Sequence, residues 1–152
     1  MINVLPMDRA WLRGHEPILR EAFSLIGDGD AYGPDEELYR DAELDPRNFI
    51  LEVRDDDGSV IGCALIVFYR SPHSPITYAM NDLIFIAPSH KGRELVGGHL
   101  VYEAERVAAA RGADEFRWSI PIGSPLDIAF GKPRRAKKYI PFERSYRRVL
   151  NG

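Results

Sequence analysis

Residues 81–112 read NDLIFIAPSHKGRELVGGHLVYEAERVAAARG. An apolar run stops at Pro88, a basic turn with glycines follows, and an alanine-rich stretch runs on to Gly112. The order is strand, turn, helix. Leu100, Ala104, Val107 and Ala108 fall on one helical stripe, and Gly112 suits the C-terminal cap. Lys91 and Arg93 bring positive charge to the start of the helix, and Gly92, Gly97 and Gly98 bring bare backbone. The first N–H groups of a helix have no partner in the chain and lie at the positive end of its dipole. Glycine lets an anion approach that backbone, so the turn predicts a phosphate or pyrophosphate site.

Working outward, the strand Ile76–Pro88, the helix and a second strand, Glu115–Ile120, make a strand–helix–strand unit, so those two strands are expected to be parallel. Upstream, NFILEVRDDDGSVIGCALIVFY (48–69) is a hairpin, with Asp-Asp-Asp-Gly at its turn. RSPHSP (70–75) is a second turn, whose prolines do not suit a central strand. Three antiparallel strands in a meander result. INVLPM (2–7) is a short strand. A main helix follows His15, with Pro17 near its start, and Pro34 suits the first turn of a helix running through DEELYRDAEL. SPLDIAFGKPRRAKKYIPFERSYRRVL (124–150) predicts a helix or irregular segment, then one or two strands.

The chain has 152 residues, 45% apolar and 28% charged, the size and balance of one globular domain over 1–152. Its net charge of −3 gives no general case for nucleic acid. The single cysteine, Cys63, excludes an internal disulfide framework and reads as a small core residue. Charge comes too early for a secretory signal, and no apolar run nears the ~20 residues that cross a bilayer, so a soluble cytoplasmic protein is expected. Charge is segregated: twelve acids against three arginines over 28–57, and eight basic residues against one acid over 132–152. The four histidines, at 15, 73, 90 and 99, lack ligand spacing with carboxylates or cysteine, so no metal is expected. The Walker pattern fails because Gly98-His99 follows Gly97, and the Rossmann G-x-G-x-x-G is absent.

The element order and the turn together resemble the GNAT superfamily of acyl-CoA-dependent N-acetyltransferases. The matching stretch is residues 81–112, set against the family's strand, its V-x-P-x-[YH]-R-G-x-G-x-G turn and a helix ending in glycine. Lys91 stands where the family has Arg or Gln, and Lys138 where its closing Gly-Tyr segment has Gly. The glycines align with one residue extra near Arg93 and Glu94, which puts Leu95 at the middle position and Gly97 at the last. The strand and the compact C-terminal end resemble versions carried by phages and prophages. The resemblance implies an α+β fold: a mixed, mostly antiparallel sheet of about six or seven strands, about four flanking helices, and a splayed parallel strand pair.

The resemblance also implies acetyl-CoA as co-substrate, its pantetheine lying in the splay against the main chain of Ile84, Phe85 and Ile86. Lys91, Gly92, Arg93, Glu94, Leu95, Val96, Gly97 and Gly98 would hold the pyrophosphate. Alternation puts Met80, Asp82, Ile84 and Ile86 on one face of the strand. Asp82 sits where relatives often carry a base. It is either that base or a strand carboxylate bonded to nearby backbone, with a water as the alternative base. Tyr139, in the Gly-Tyr-like position, is the candidate acid, with Tyr146 in reserve. The acceptor side would include Tyr32, Asp35 and Tyr39 in an acidic loop that suits a cationic amine. The expected function is acetyl transfer from acetyl-CoA to a primary amine by direct attack in a ternary complex. The alternative is a catalytically weak acyl-CoA-binding or assembly module. The expected partners are acetyl-CoA and the amine. No membrane or nucleic acid is expected, and a homodimer stays open.

Overall fold

The computed structural model describes residues 1–26, 32–90, 92–136, 138–148 and 150, the side chains of 135 and 136 excepted. The chain divides into two compact units, Met1–Ser119 and Ile120–Gly152. The first carries β1 (Ile2–Pro6), α1 (Arg9–Gly14), α2 (Glu16–Ile26), α3 (Glu36–Leu44), β2 (Phe49–Arg54), β3 (Val60–Arg70), β4 (Thr77–Ile86), α4 (Arg93–Ala110) and β5 (Glu115–Arg117). The second carries α5 (Pro125–Phe130) and α6 (Pro133–Ala136). No described helix is long and apolar enough to cross a membrane.

The sheet runs β1-β2-β3-β4-β5. The first three pairings are antiparallel and β4–β5 is parallel, as the strand–helix–strand unit requires. Period-2 alternation gives the sheet two apolar faces. Ala64, Ile66 and Phe68 of β3 join Phe49, Leu51 and Val53 of β2 under the Leu100, Ala104, Val107 and Ala108 stripe of α4. Cys63 and Leu65 face the other way, with Ile50, against Trp11, Leu12 and Leu19 of α1 and α2. Burial pushes the Cys63 thiol up to about 12, so it is a packed core group. Both expected glycine positions take left-handed backbone: Gly58 in the β2–β3 turn (φ 87°) and Gly112 after α4 (φ 95°).

The fold is mixed α+β, as expected, but the inventory differs from the expected six or seven strands and four helices: five strands and six helices form among the described residues. The C-terminal strands do not form over 139–148. Pro141 has no N–H to give a ladder, and Ile140, Phe142 and Tyr146 are 80%, 66% and 85% exposed, so no sheet face buries them. The strand expected over Glu115–Ile120 stops at Arg117. Pro34 stays outside α3, because Asp35 caps that helix by accepting from the N–H groups of Glu37 and Leu38.

Gly62 lies opposite Ile86 where β3 and β4 run together. A Cβ there would fall 2.5 Å from the Phe85 carbonyl oxygen and 3.1 Å from the Ile86 Cα, both rigid backbone. Gly62→Ala is expected to cost about 1–3 kcal/mol or more, by forcing the two strands apart. Denaturant unfolding checks this: a midpoint equal to that of the parent would show that the strands yield freely.

Candidate active site

The site is built where β4 and β5 part. The parallel ladder pairs Tyr78 with Glu115, Ala79 with Phe116 and Met80 with Arg117, and then ends. The next residue, Asn81, is 6% exposed. Its Nδ2 donates to the Ser119 carbonyl and its Oδ1 accepts from the Ser119 N–H, each at 2.8 Å. The carboxamide imitates one more peptide unit and closes the ladder, which is why β5 ends early. Beyond it, Leu83–Ile86 has β3 along one edge and no described strand along the other.

Asp82 is the extra residue of a β-bulge: Leu65 faces Leu83, while Ile66 faces Asn81. The bulge overturns the expected face of Met80, Asp82, Ile84 and Ile86. Ile84 and Ile86 pack with Ala79 on the α4 side. Met80 lies opposite Val67, and Leu83 packs with Val67 on the α1–α3 side. One inserted residue shifts the alternation by one, so residues before and after it exchange faces. Asp82 is open to solvent and has no side-chain hydrogen bond or ion pair among the described residues. Burial by the surrounding wall nevertheless pushes its carboxyl above the usual carboxylate range.

At the far end of β4, Gly92 caps α4 in left-handed backbone (φ 79°), and no side chain caps the helix. The first-turn N–H groups of α4 thus keep their capacity for an outside acceptor. Arg93 Nε donates to the Ile86 carbonyl at 3.1 Å, tying the helix start to the strand end. Glu94 and Leu95 are exposed, so the acid in the first turn points to solvent. Val96 packs toward the core beneath α4. Gly97 and Gly98 lie inside the helix, and a Cβ on Gly97 would meet only Ile86 Cδ1, at 3.8 Å. Gly92 is therefore the glycine whose conformation requires glycine; at Gly97 the space for a side chain exists until a ligand fills it. Lys91 lies outside the described residues.

On the α1–α3 side, the Tyr32 and Tyr39 hydroxyls stand 3.5 Å apart. Burial pushes the Tyr39 phenol well above its ordinary value, the Tyr32 hydrogen bond adds to this, and so does the charge of Asp82. Asp82 likewise helps raise Tyr69, after burial. One carboxylate thus shares a field with phenols from α3 and β3. Asp35 is spent as the α3 cap. Tyr139 and Tyr146 belong to the second unit: the Tyr139 ring packs on Phe130 with centroids 4.3 Å apart, and Tyr146 is 85% exposed. The sequence reading missed Asn81, Tyr69 and Tyr78. Their only signal was position, an amide beside the odd acid and a tyrosine close to each end of the RSPHSP turn. Among the described residues, no group of three His, Cys, Asp or Glu side chains could hold a metal ion.

Comparison with known proteins places the fold. A search of curated protein sequences finds no match. Among solved structures, an aminoglycoside acetyltransferase from an uncultured soil metagenomic sample is 14% identical, with a TM-score of 0.68, covering 100% of this chain and 98% of that one. A second soil metagenomic aminoglycoside acetyltransferase, in complex with sisomicin, is 12% identical, with a TM-score of 0.68 and coverages of 99% and 95%. The ribosomal-protein-alanine N-acetyltransferase of Brucella melitensis biovar Abortus 2308 is 15% identical, with a TM-score of 0.60 and coverages of 99% and 99%. At such identities the likeness is one of fold. The family model for the Acetyltransferase (GNAT) family matches residues 16–121, more than half of the chain. The chain therefore belongs to the GNAT family of acetyltransferases.

Proposed function

We propose that this acyltransferase moves an acetyl group from acetyl-CoA to a primary amine by direct attack within a ternary complex, with both units of the chain serving one catalytic domain. The observation that carries the reading is the placement of Asp82: a carboxylate with raised proton affinity stands on a bulge, where the β4–β5 ladder ends and one edge of β4 has no strand among the described residues. When bound, acetyl-CoA supplies an activated thioester. The open edge of Leu83–Ile86 would pair with the pantetheine amides as an added strand would, and the α4 N-terminus with Lys91 would receive the pyrophosphate. Asp82 would take the proton that an ammonium must lose before it can attack. Tyr139 is the proposed donor of the proton that the leaving thiolate must gain, with Tyr146 in reserve.

Two measurements test this. CoA at about one hundred times its dissociation constant is expected to stabilise the fold by ~2.7 kcal/mol, read as a rise in Tm. Lys91→Ala should weaken CoA binding by ~1.5–3 kcal/mol, roughly ten- to a hundredfold, and Gly97→Val should weaken it by crowding the ligand. Calorimetry that gives both variants the affinity of the parent would remove CoA from this turn. A thiol-release assay across a panel of amines then separates turnover from binding alone. Saturable CoA binding without turnover would favour a binding module.

A further inference from the structure

On the reading that the arm of acetyl-CoA lies along β4, the point where the β4–β5 ladder stops sets the room it has. Main-chain hydrogen bonds fix which residues face that room. Before the bulge, the Thr77 carbonyl accepts from the Asp114 N–H at 2.8 Å, so the odd-numbered residues of β4 turn their main chain toward β5. After the bulge, the Ala87 N–H donates to the Ile61 carbonyl at 2.8 Å, so the odd-numbered residues turn toward β3. Alternation then turns the main chain of Ile84 and Ile86 to the edge away from β3. The Ile86 carbonyl already accepts from Arg93 Nε at 3.1 Å. The Ile84 N–H and carbonyl face that edge with no described strand beside them.

The ladder stops through a substitution of one acceptor for another. The main chain of Asn81 faces β5, and a regular parallel ladder would next send the Ser119 N–H to the Asn81 carbonyl. That N–H goes instead to Oδ1 of the same residue, at 2.8 Å, and Nδ2 takes up the Ser119 carbonyl, also at 2.8 Å. Asn81 is 6% exposed, so water competes little for these two bonds. Held by a side chain where a carbonyl would hold it, the chain at Ser119 does not carry the ladder on toward Ile84.

We infer that Asn81 is a positioning residue for the pantetheine arm of acetyl-CoA: its two bonds to Ser119 keep β5 from running on beside Ile84, and so keep the Ile84 N–H and carbonyl open to the arm. The effect is exerted through Ser119, without a contact to the reacting atoms. Loss of the carboxamide frees the Ser119 N–H to take the Asn81 main-chain carbonyl, which extends the ladder by a step and narrows the opening. The nucleotide is unaffected, because its proposed place at the start of α4 lies beyond Ile86.

The test is calorimetry with CoA and with phosphoadenosine diphosphate, the nucleotide half of CoA ending at its pyrophosphate. In Asn81→Ala the affinity for CoA is expected to fall about tenfold or more, while that for the nucleotide half stays within about twofold. The kcat/KM for acetyl-CoA should fall about a hundredfold, since a misplaced arm costs alignment as well as binding. Asn81→Asp keeps the shape and the acceptor but sets an oxygen against the Ser119 carbonyl, and it should show the same split between the two ligands. Amide exchange in the parent needs no variant. The Ser119 N–H should be protected in the free protein, and the Ile84 N–H should exchange readily there and be protected by CoA but not by the nucleotide half. CoA affinity equal to that of the parent in the variants, an equal loss for both ligands, or an Ile84 N–H already protected in the free protein would overturn this inference and leave CoA binding standing. A parent that binds neither ligand would overturn the CoA reading and this inference with it.

Discussion

Asp82→Asn is expected to lower kcat/KM for a primary amine by about a hundredfold or more, the usual contribution of a positioned general base. The substitution keeps size and the bulge, and removes only the ability to accept a full proton. Asp82 has no side-chain partner among the described residues, so the variant breaks no ion pair and should fold as the parent does. CoA affinity should stay within about twofold, because the turn that would take the pyrophosphate starts beyond Ile86 and the pantetheine would pair with main chain that the substitution leaves in place. The pH profile separates a base from a bystander. Burial raises the carboxyl of Asp82, so the acid limb of kcat/KM in the parent should fall above the ordinary aspartate value of about 3.9. That limb should vanish in Asp82→Asn, leaving only the ionisation of the amine. Full activity across pH would make Asp82 a structural residue and pass the proton to a water.

Much of this site was legible because local chemistry and tertiary role coincide in it. The basic, glycine-bearing turn at residues 88–98 marks a helix start in any sequence, and α4 does begin there, at Arg93. The hairpin of β2 and β3 is legible from its Asp-Gly turn, and the parallel pair from the strand–helix–strand order. The bulge was not legible. Nothing local distinguishes NDLIF from a regular strand, and the shift appears only against the register of β3, where Leu65 and Ile66 face residues two apart. The tyrosine pairs were half legible. Tyr32 and Tyr39 drew notice from an acidic loop, but Tyr69 and Tyr78 meet only because the RSPHSP turn folds their strands together. One or two C-terminal strands were expected from the sequence over 124–150. Apolar residues at 140 and 142 do not make a strand unless a neighbour covers them, and these stay exposed.

Glu52→Gln is expected to cost the fold about 3 kcal/mol above roughly pH 5, and almost nothing near pH 2. Glu52 is an acid inside the apolar run FILEVR, 3% exposed, on the sheet face that carries α1. Burial alone would push its carboxyl up. Donors outweigh that: Arg54 Nε at 2.6 Å, the Trp11 indole Nε1 at 2.7 Å and Asn3 Nδ2 at 3.2 Å together bring it down to about 2. A depressed pKa favours folding where the carboxylate is charged in both states. The contribution is complete above the unfolded value of 4.5 and is lost as pH falls through the folded value of about 2. The difference of about 2.5 units corresponds to ~3 kcal/mol. Each carboxylate oxygen accepts two N–H groups, from Asn3 and Arg54 on one and from Trp11 and Arg54 on the other, so the N–H₂ of Gln leaves two donors without their acceptor at every pH above that window. Urea unfolding of parent and variant from pH 2 to 7 should give two curves that meet at the acid end and separate as pH rises. Parallel curves would assign the cost to packing rather than charge. Glu52 also holds Trp11 on α1, and α1 carries the Arg13 that lies over Tyr39. The variant should therefore raise KM for the amine while leaving CoA affinity unchanged, since the α4 turn packs on the opposite face of the sheet.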